Sequence, residues 1–466
     1  MSNILLMGVG PLPIENPDRL YAPGLRMWIF AKVLSDHNLY ILQTNFEDTS
    51  ALNFHDISKP DLIKDNIKRF LAPANFSSTP KYVKDICDKY SINCIVSSTD
   101  VMNKIASLSQ TNIPKWFAFF GHPMAEAQMI SIIHKNNNQL LEEWLNIKLS
   151  LMTGDHFSGC SHAQKHAMIG ELGICGRLNY QNAFHDLVSV IRPSFAFPDF
   201  KHTKDVIKGK LCPKDAFIVL WTGGYNTWAD VDTLFDALCI AMKKDDNIYY
   251  VSTGGEIKGH NTKTFDHFKA LIDKCEFKNR FIFSGWVPTE DVANYYLEGD
   301  VAINIDLFSY EGLLGARNRI IEWIQAGLPV ISTDLCELTN ELHKAELIHT
   351  FPIGNAAELS EKIIFIRNNK SIMSVKAQRA RDYIMEEYSL EKTHKDLIEW
   401  AKNPQFAPDN MSKDKDNPLY EHMLNTNQSA EIIKGLNEKN NNLEIELNKM
   451  NGKKIFKIYN FVKKFF

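Results

Sequence analysis

Two successive series of short apolar runs constrain the fold of this chain more than any other feature. In the first 200 residues, the runs NILLMGV, LYILQ, NCIVSST and KWFAFF have the length and composition of fully buried strands. Between the first two, the segment GLRMWIFAKVLSDH places Leu25, Trp28, Ile29 and Val33 on one face of a helix. This alternation predicts an α/β fold with a parallel, doubly wound sheet.

A second alternation begins after a looser stretch with prolines and charges, residues 192–217, which is typical of an interdomain connection. The runs FIVLW, IYYVST, RFIFSG, VAINID and PVIST are predicted strands, separated by helical segments such as VDTLFDALCIAM and DHFKALIDKC. We therefore predict two facing domains, residues 1–200 and 201–400. Ligands are expected in the cleft between their strand ends.

Composition excludes several classes of protein. The net charge of −4 argues against a general nucleic-acid binder, which usually has a basic surface. The eight cysteines include no CxxC pair, so reduced thiols in a cytoplasmic protein are expected, with no disulfide framework or zinc site. The sequence starts without the basic residues of a signal peptide, and no run of about 18 apolar residues occurs.

The C-terminal part of the sequence has a different composition. Residues 401–430 are polar and contain three prolines, which predicts a linker. Residues 431–451 carry apolar side chains at heptad spacing with Asn440 at an a position, as in a short coiled coil. The repeat spans three heptads and includes Gly435, so self-association of the chain through this segment stays open.

The last segment, residues 453–466, reads KKIFKIYNFVKKFF. Five lysines accompany a stripe formed by Ile455, Ile458, Tyr459 and Val462. A basic amphipathic helix with aromatic residues lies on anionic membrane surfaces. A helix docked on the protein's own surface is the alternative. The position after a linker favours peripheral attachment to the inner face of the cell membrane.

The segment SYEGLLGARNRIIEWIQAGLPVISTD carries the strongest chemical signal. Glu311 opens a glycine-containing turn, and a helix follows it. Backbone amides at a helix start attract phosphate, and Arg317 and Arg319 add positive charge there. Glu322, one turn inside, is placed to accept hydrogen bonds from a ribose diol. A surface salt bridge explains either arginine alone, but the combination favours a nucleotide site.

This segment resembles the donor-site motif of family 4 retaining glycosyltransferases. In that motif an acidic residue stands five positions before a Gly-x-Pro-Val/Ile element, and Glu322, Gly327, Pro329 and Val330 match this spacing. Most members carry two glutamates separated by seven residues, whereas ten separate Glu311 from Glu322. A bacterial subgroup of polysaccharide and O-antigen transferases has such a longer spacing, with an Arg-x-Arg before the second acid.

Other stretches resemble the same subgroup. LWTGGYNTWADVDTL is similar to its glycine loop, and FSGWVPTEDVANYYLEGDVAIN to its Gly-Trp-Val-Pro turn. In the first half, FSGCSHAQKHAMIGELGICGRLN matches at Ser161, Gln164, Gly176, Arg177 and Asn179. The resemblance covers roughly residues 1–400. It implies the GT-B fold of two facing Rossmann-like domains, a nucleotide-diphosphate sugar as donor, and retention of anomeric configuration.

The resemblance also implies roles for individual residues. Arg317 and Arg319 would neutralise the diphosphate, because the glycine loop lacks the basic residue that many members have there. No metal and no cofactor are expected, since enzymes of this fold generally use basic side chains and backbone amides. The implied site residues are, for the donor, Gly223, Gly224, Arg317, Arg319 and Glu322, and, for catalysis, His122 and Glu311.

His122 is chosen because it follows the predicted strand KWFAFF, where relatives often have an Asp or His that faces the cleft. A structural histidine is the alternative at this position. The acceptor is predicted to be a glycan or a lipid-linked molecule in bacterial polysaccharide or lipopolysaccharide assembly. Two other functions stay open: another GT-B enzyme, such as an inverting transferase or a sugar-nucleotide epimerase, and a catalytically inactive scaffold on the membrane.

Overall fold

The computed structural model describes residues 1–412, apart from 16, 18–20, 46–53, 65–66, 74–77, 196, 198 and 257–261, and also residue 439. In this described part, eight strands form the first sheet, in the order β3-β4-β2-β1-β5-β6-β7-β8. All neighbours are parallel except β3 and β4. The strands are β1 Asn3–Val9, β2 Asn38–Asn45, β3 Asp61–Leu62, β4 Lys68–Pro73, β5 Cys94–Ser97, β6 Lys115–Ala118, β7 His156–Gly159 and β8 Val188–Val190.

Helices cover both faces of this sheet, as the buried composition of its strands requires. Residues of β1 from Ile4 to Val9 are all buried. The helices are α1 Ala22–Val33, α2 Thr79–Tyr90, α3 Asp100–Leu108, α4 Pro123–His134, α5 Asn138–Thr153 and α6 His162–Ile174.

The second sheet has six parallel strands in the order β11-β10-β9-β12-β13-β14. Its strands are β9 Phe217–Thr222, β10 Ile248–Thr253, β11 Phe281–Gly285, β12 Val301–Asn304, β13 Val330–Thr333 and β14 His349–Phe351. The helices are α7 Val231–Lys244, α8 Lys263–Ile272, α9 Val292–Glu298, α10 Tyr310–Leu314, α11 Asn318–Gln325, α12 Glu337–Lys344 and α13 Ala356–Asn368. The prediction of two doubly wound sheets is confirmed.

The carboxyl ends of the two sets of strands meet. Ser161, which follows β7, donates a hydrogen bond from Oγ to the Leu314 carbonyl at 2.8 Å. His162 Nδ1 lies 2.8 Å from a carboxylate oxygen of Glu337, which begins α12 after β13. These contacts place the facing edges of the sheets at one interface.

The chain then returns to the first sheet through four helices, α14 Lys370–Glu387, α15 Leu390–Thr393, α16 Lys395–Lys402 and α17 Pro408–Ser412. The ring of Trp400 lies 5.5 Å from that of Trp116 on β6. Asp409 forms a buried ion pair with Arg177. The prediction that the polar linker starts at residue 401 is therefore wrong for residues 401–412, because buried contacts hold them on the first domain.

The remaining predictions for the C-terminal part concern residues that the structure does not describe. The linker residues 413–430, the coiled coil 431–451 and the basic segment 453–466 lie outside the described residues, with the single exception of residue 439. In the part of the chain that the structure describes, no helix has the length and apolar composition needed to cross a membrane.

Candidate functional site

The glycine loop after β9 brings two backbone segments into close approach. Gly223 has φ +92° and Gly254, after the neighbouring strand β10, has φ +87°. A Cβ atom on Gly254 would lie 2.3 Å from the Gly223 carbonyl oxygen. Glycine is therefore required at this crossing, both for its backbone conformation and for space. The loop leads into α7, where an Asp230 carboxylate oxygen accepts a hydrogen bond from the Thr233 amide at 3.0 Å.

Arg319, in the first turn of α11, lies against this loop. Its guanidinium is stacked 4.4 Å from the Trp221 ring centroid, and its Nη2 donates to the Gly224 carbonyl at 3.4 Å. Its Nη1 is buried and has no hydrogen-bond partner within the described residues. Burial lowers the pKa of Arg319 from its ordinary value. Arg319 thus presents an unsatisfied donor beside Gly223 and Gly224. The sequence predicted that these three residues belong to one site.

Glu322 lies one turn further along the same helix. Its Oε2 accepts a hydrogen bond from the Tyr296 hydroxyl at 2.6 Å, and the side chain is buried. Burial raises the pKa of Glu322, while the Tyr296 hydrogen bond and the charge of Arg319 act in the opposite direction. Trp323 fastens α11 to β9 through a 2.9 Å hydrogen bond to Thr222 Oγ1. Arg319 and Glu322 therefore stand on a helix that is anchored to the glycine-loop strand.

Arg317 has a different environment from Arg319. Its Nε donates to an Asp306 carboxylate oxygen at 3.0 Å, and its two Nη atoms donate to the two Glu311 oxygens at 3.0 and 2.8 Å. The side chain of Arg317 is only 6% exposed. Two carboxylates already neutralise this one guanidinium. The structure therefore does not give Arg317 the free charge toward a diphosphate that the sequence predicted.

The same pairing fixes Glu311, because both of its carboxylate oxygens are held by Arg317. Burial raises the pKa of Glu311, whereas the adjacent Arg317 lowers it. Gly315, which ends α10, passes close by: a Cβ there would lie 2.8 Å from Glu311 Oε1 and from the Glu311 carbonyl. The turn between α10 and α11 thus folds the arginine back onto the acid six positions earlier.

His122 follows β6, at the facing edge of the first sheet, as predicted. Its Nδ1 accepts a hydrogen bond from the Ala125 amide at 3.3 Å and so caps α4. Its Nε2 lies 3.1 Å from Glu171 Oε1 on α6. Both ring nitrogens are therefore engaged within the first domain, which fits the structural alternative as well as the catalytic one.

Glu126, in the first turn of α4, was not predicted from the sequence. Its carboxyl lies over the Gly121 backbone, where an added Cβ would be 2.3 Å from Glu126 Oε1. Burial is the main reason that the pKa of Glu126 is raised well above its ordinary value, and the next is the charge of Glu311 from the second domain. The charge of Glu311 thus acts on Glu126 across the interface, where α4 and α10 pack against each other. The only sequence signal that could have identified Glu126 is its position shortly after the end of β6, the same strand end that His122 follows.

A cluster with metal-ligand chemistry lies outside this site. Among the residues that the structure describes, His202, Asp205 and Glu298 offer ligand atoms within 4.8 Å of one another. Glu298, however, already accepts hydrogen bonds from three successive backbone amides, residues 206–208, at 2.7 to 2.8 Å. Its carboxylate is therefore used to hold a loop. The expected lack of a metal and of a cofactor stays a prediction.

The segment that carries the glycine loop, Arg319 and Glu322 also matches a known family. Residues 216–369, about a third of the chain, match the family model described as Glycosyl transferases group 1. These residues form a group 1 glycosyltransferase domain. The prediction that the chain is a glycosyltransferase is confirmed at this level, whereas membership of family 4, retention and the O-antigen type stay predictions. No curated protein is similar enough to match the sequence.

Solved structures resemble the chain over both domains. The Anabaena protein HepE in complex with UDP and glucose is 15% identical, with a TM-score of 0.60 over 86% of this chain and 100% of that one. Sucrose-phosphate synthase from Thermosynechococcus elongatus is 15% identical, with a TM-score of 0.63 over 86% and 98%. A glycosyltransferase from Rickettsia africae is 17% identical, with a TM-score of 0.54 over 86% and 98%. These likenesses confirm the predicted GT-B fold.

Proposed function

We propose that this glycosyltransferase moves a sugar, with retention of configuration, from a nucleotide-diphosphate donor to a glycan or lipid-linked acceptor in the assembly of a bacterial surface glycan. The observation that carries the proposal is the unsatisfied donor of Arg319 beside the glycine loop. A buried N–H donor without a partner, such as Nη1 of Arg319, is costly, and the diphosphate of a nucleotide sugar would satisfy it. The complexes of HepE with UDP and with UDP-glucose support a nucleotide sugar as the class of donor.

In this proposal the second domain binds the donor. Gly223 and Gly224 let the backbone approach the diphosphate, and Arg319 neutralises the charge that develops when it leaves. Glu322, oriented by the hydroxyl of Tyr296, accepts hydrogen bonds from the ribose. These groups act before and during departure of the nucleotide, so their removal lowers both donor binding and turnover. The proposal requires neither a metal ion nor a cofactor.

The transferred sugar lies between the two domains. Glu311, held in place by Arg317, contacts its hydroxyls from one side, and His122 and Glu126 line the other. In a retaining transfer the acceptor oxygen bonds to the anomeric carbon on the face from which the diphosphate departs. The acceptor proton then passes to the departing phosphate oxygen, so charge and atoms balance without an added reactant.

Two further parts of the proposal concern attachment to the membrane and self-association. We propose that the catalytic body works at the inner face of the cell membrane, held there by residues 453–466. The support is the combination of five lysines with bulky apolar side chains in that segment. Self-association through 431–451 is a separate proposal, supported by the heptad spacing alone.

A donor screen tests the proposed reaction. Purified protein is incubated with UDP-, GDP-, dTDP- and CMP-sugars, and release of the free nucleotide is measured. We expect release from at least one nucleotide-diphosphate sugar in wild type and strongly reduced release in Arg319→Met. NMR of the product distinguishes retention from inversion, and interconversion of the nucleotide sugar itself would indicate an epimerase. No release from any donor would favour the inactive scaffold.

A further inference from the structure

A group of exposed apolar side chains begins at the last residue of α6 and continues into the segment after it, in the first domain. Ile174, Leu178, Tyr180 and Phe184 are 70%, 58%, 80% and 107% exposed, respectively. The stretch 174–185 contains no aspartate or glutamate. Four large apolar side chains exposed within one short stretch of the sequence are typical of an interaction surface. We refer to residues 174–184 as the apolar surface.

This surface lies far from the interface between the domains. α6 begins beside the facing edge, where Ser161 contacts Leu314, and its 13 residues run back toward the start of β8. A helix of that length spans about 20 Å. The apolar surface is therefore at the amino edge of the first sheet, about 20 Å from the facing edges.

The last described helix ends beside the same surface. Arg177 Nη2 donates to Asp409 of α17 at 2.9 Å, and Asn179 Nδ2 donates to the same carboxylate at 3.3 Å. Asn410 Nδ2 donates to Asp155, just before β7, at 2.8 Å. The chain after residue 412, which leads to the lysine-rich segment 453–466, thus departs from the amino edge.

We propose that the apolar surface inserts into the headgroup region of an anionic bilayer, next to residues 453–466. Tyr and Phe side chains are suited to the membrane interface, and the lysines of 453–466 add attraction to anionic lipids. Residues 174–185 carry no carboxylate, and the charge of the adjacent Asp186 is paired with Lys165 at 2.6 Å, which limits repulsion from those lipids. The amino edge of the first sheet then faces the membrane, and the catalytic cleft is held about 20 Å above it.

This orientation selects a class of acceptor. The reacting hydroxyl has to reach a cleft about 20 Å from the lipid headgroups. A lipid-linked glycan that already carries several sugars meets this requirement, whereas the headgroup of an unextended lipid does not. This consequence rests on the proposed transfer reaction, but the membrane contact itself does not.

The test uses the full chain and vesicles of phosphatidylcholine with phosphatidylglycerol. The variant Leu178→Ser with Tyr180→Ser and Phe184→Ser removes apolar area from exposed positions, so folding should be retained, as checked by an unchanged Tm. We expect the triple variant to partition at least about tenfold more weakly than wild type in cosedimentation. The matched control, Ile372→Ser with Val375→Ser, changes two exposed apolar side chains of the second domain and should bind vesicles like wild type.

Amide hydrogen exchange locates the contact. Vesicles should protect residues 174–184 and leave the exposed cleft-side segment 307–310 unprotected. Equal partitioning of wild type and triple variant, or protection of 307–310 alone, would overturn the proposal. A dimer of the wild type that the triple variant dissociates would also overturn it, because a second copy would then cover the apolar surface. Faster exchange in 174–184 after deletion of 453–466, measured without vesicles, would overturn it as well, because the chain's own segment would then be the occupant. Nucleotide release in solution, measured in parallel, reports separately on the transfer reaction.

Discussion

The facing edges of the two domains differ in how their candidate residues are engaged. On the second domain, Arg319 keeps an unsatisfied donor next to the glycine loop, and Glu322 is oriented by a single tyrosine hydroxyl. On the first domain, His122 uses both ring nitrogens within its own domain, on Ala125 and Glu171. Nη1 of Arg319 is thus free to bind a ligand, as the proposed donor site requires, whereas His122 is held by contacts within its own domain.

Arg317 and Arg319, two positions apart in the sequence, differ in the same way. Arg317 satisfies Asp306 and Glu311, whereas Arg319 stacks on Trp221 and retains free hydrogen-bonding capacity. A buried arginine that is fully paired serves stability and the placement of its partners. In the proposed donor site, the unused Nη1 donor of Arg319 is available to a ligand. Substitutions at the two positions should therefore affect different measurements.

Arg317→Met should produce the largest loss of stability. It leaves Asp306 and Glu311 buried without their counter-charge, which costs about 3–5 kcal/mol. We expect a clear fall in Tm in thermal unfolding, together with a loss of activity that follows from the misplacement of Glu311. A Tm equal to that of wild type would show that the two acids are neutralised in another way.

Arg319→Met should leave the Tm nearly unchanged and lower kcat/KM for transfer by about a hundredfold or more, as for the loss of a charge contact to the leaving group. Arg319→Lys keeps the charge but not the planar guanidinium, so partial activity is expected. Steady-state kinetics with the donor identified in the screen provides the measurement. Near-normal turnover in folded Arg319→Met would remove the distinction between the two arginines.

Tyr296→Phe tests the orientation of Glu322 by a smaller change. Loss of one hydrogen bond to a charged group corresponds to about 1.5–3 kcal/mol, divided between stability and the placement of the carboxylate. We expect the KM for the donor to rise several-fold while the KM for the acceptor stays constant. An effect on Tm alone would make Tyr296 a purely structural partner.

Glu126→Gln tests the first domain through pH. Because burial raises the pKa of Glu126 in the folded protein, the folded state binds this proton more tightly than the unfolded state. The stabilisation is complete below the unfolded pKa and is lost as pH rises through the folded pKa. Glutamine resembles the protonated acid, so the Tm of Glu126→Gln relative to wild type should increase from acidic toward neutral pH. A Tm difference between Glu126→Gln and wild type that does not change with pH would show that Glu126 does not titrate over this range.

The sequence predicted the parts of the fold that depend on local patterns. Continuous apolar runs such as FIVLWT became strands buried on both faces, and Gly327 follows the end of α11 with φ +80°, as a capping glycine does. The neighbourhood of Arg319 and the glycine loop was also predictable, because both follow the carboxyl ends of parallel strands.

Other features depend on contacts between distant residues, which no local pattern encodes. Asp306 follows a strand and looks like any strand-end acid until the turn at Gly315 brings Arg317 back to it. Residues 401–412 are polar with two prolines, and only the buried pairing of Asp409 with Arg177 shows that they belong to the first domain. The pKa of Glu126, raised mainly by burial, is raised further by the charge of Glu311 from the other domain.

Calorimetric titration of a nucleoside diphosphate tests the central claim most directly. The diphosphate that the screen identifies is titrated into wild type, Arg319→Met and Glu126→Gln at two salt concentrations. We predict that Arg319→Met binds at least about tenfold more weakly, with a smaller salt dependence, and that Glu126→Gln binds like wild type. Equal binding by wild type and Arg319→Met would contradict the assignment of the donor site to the glycine loop and Arg319.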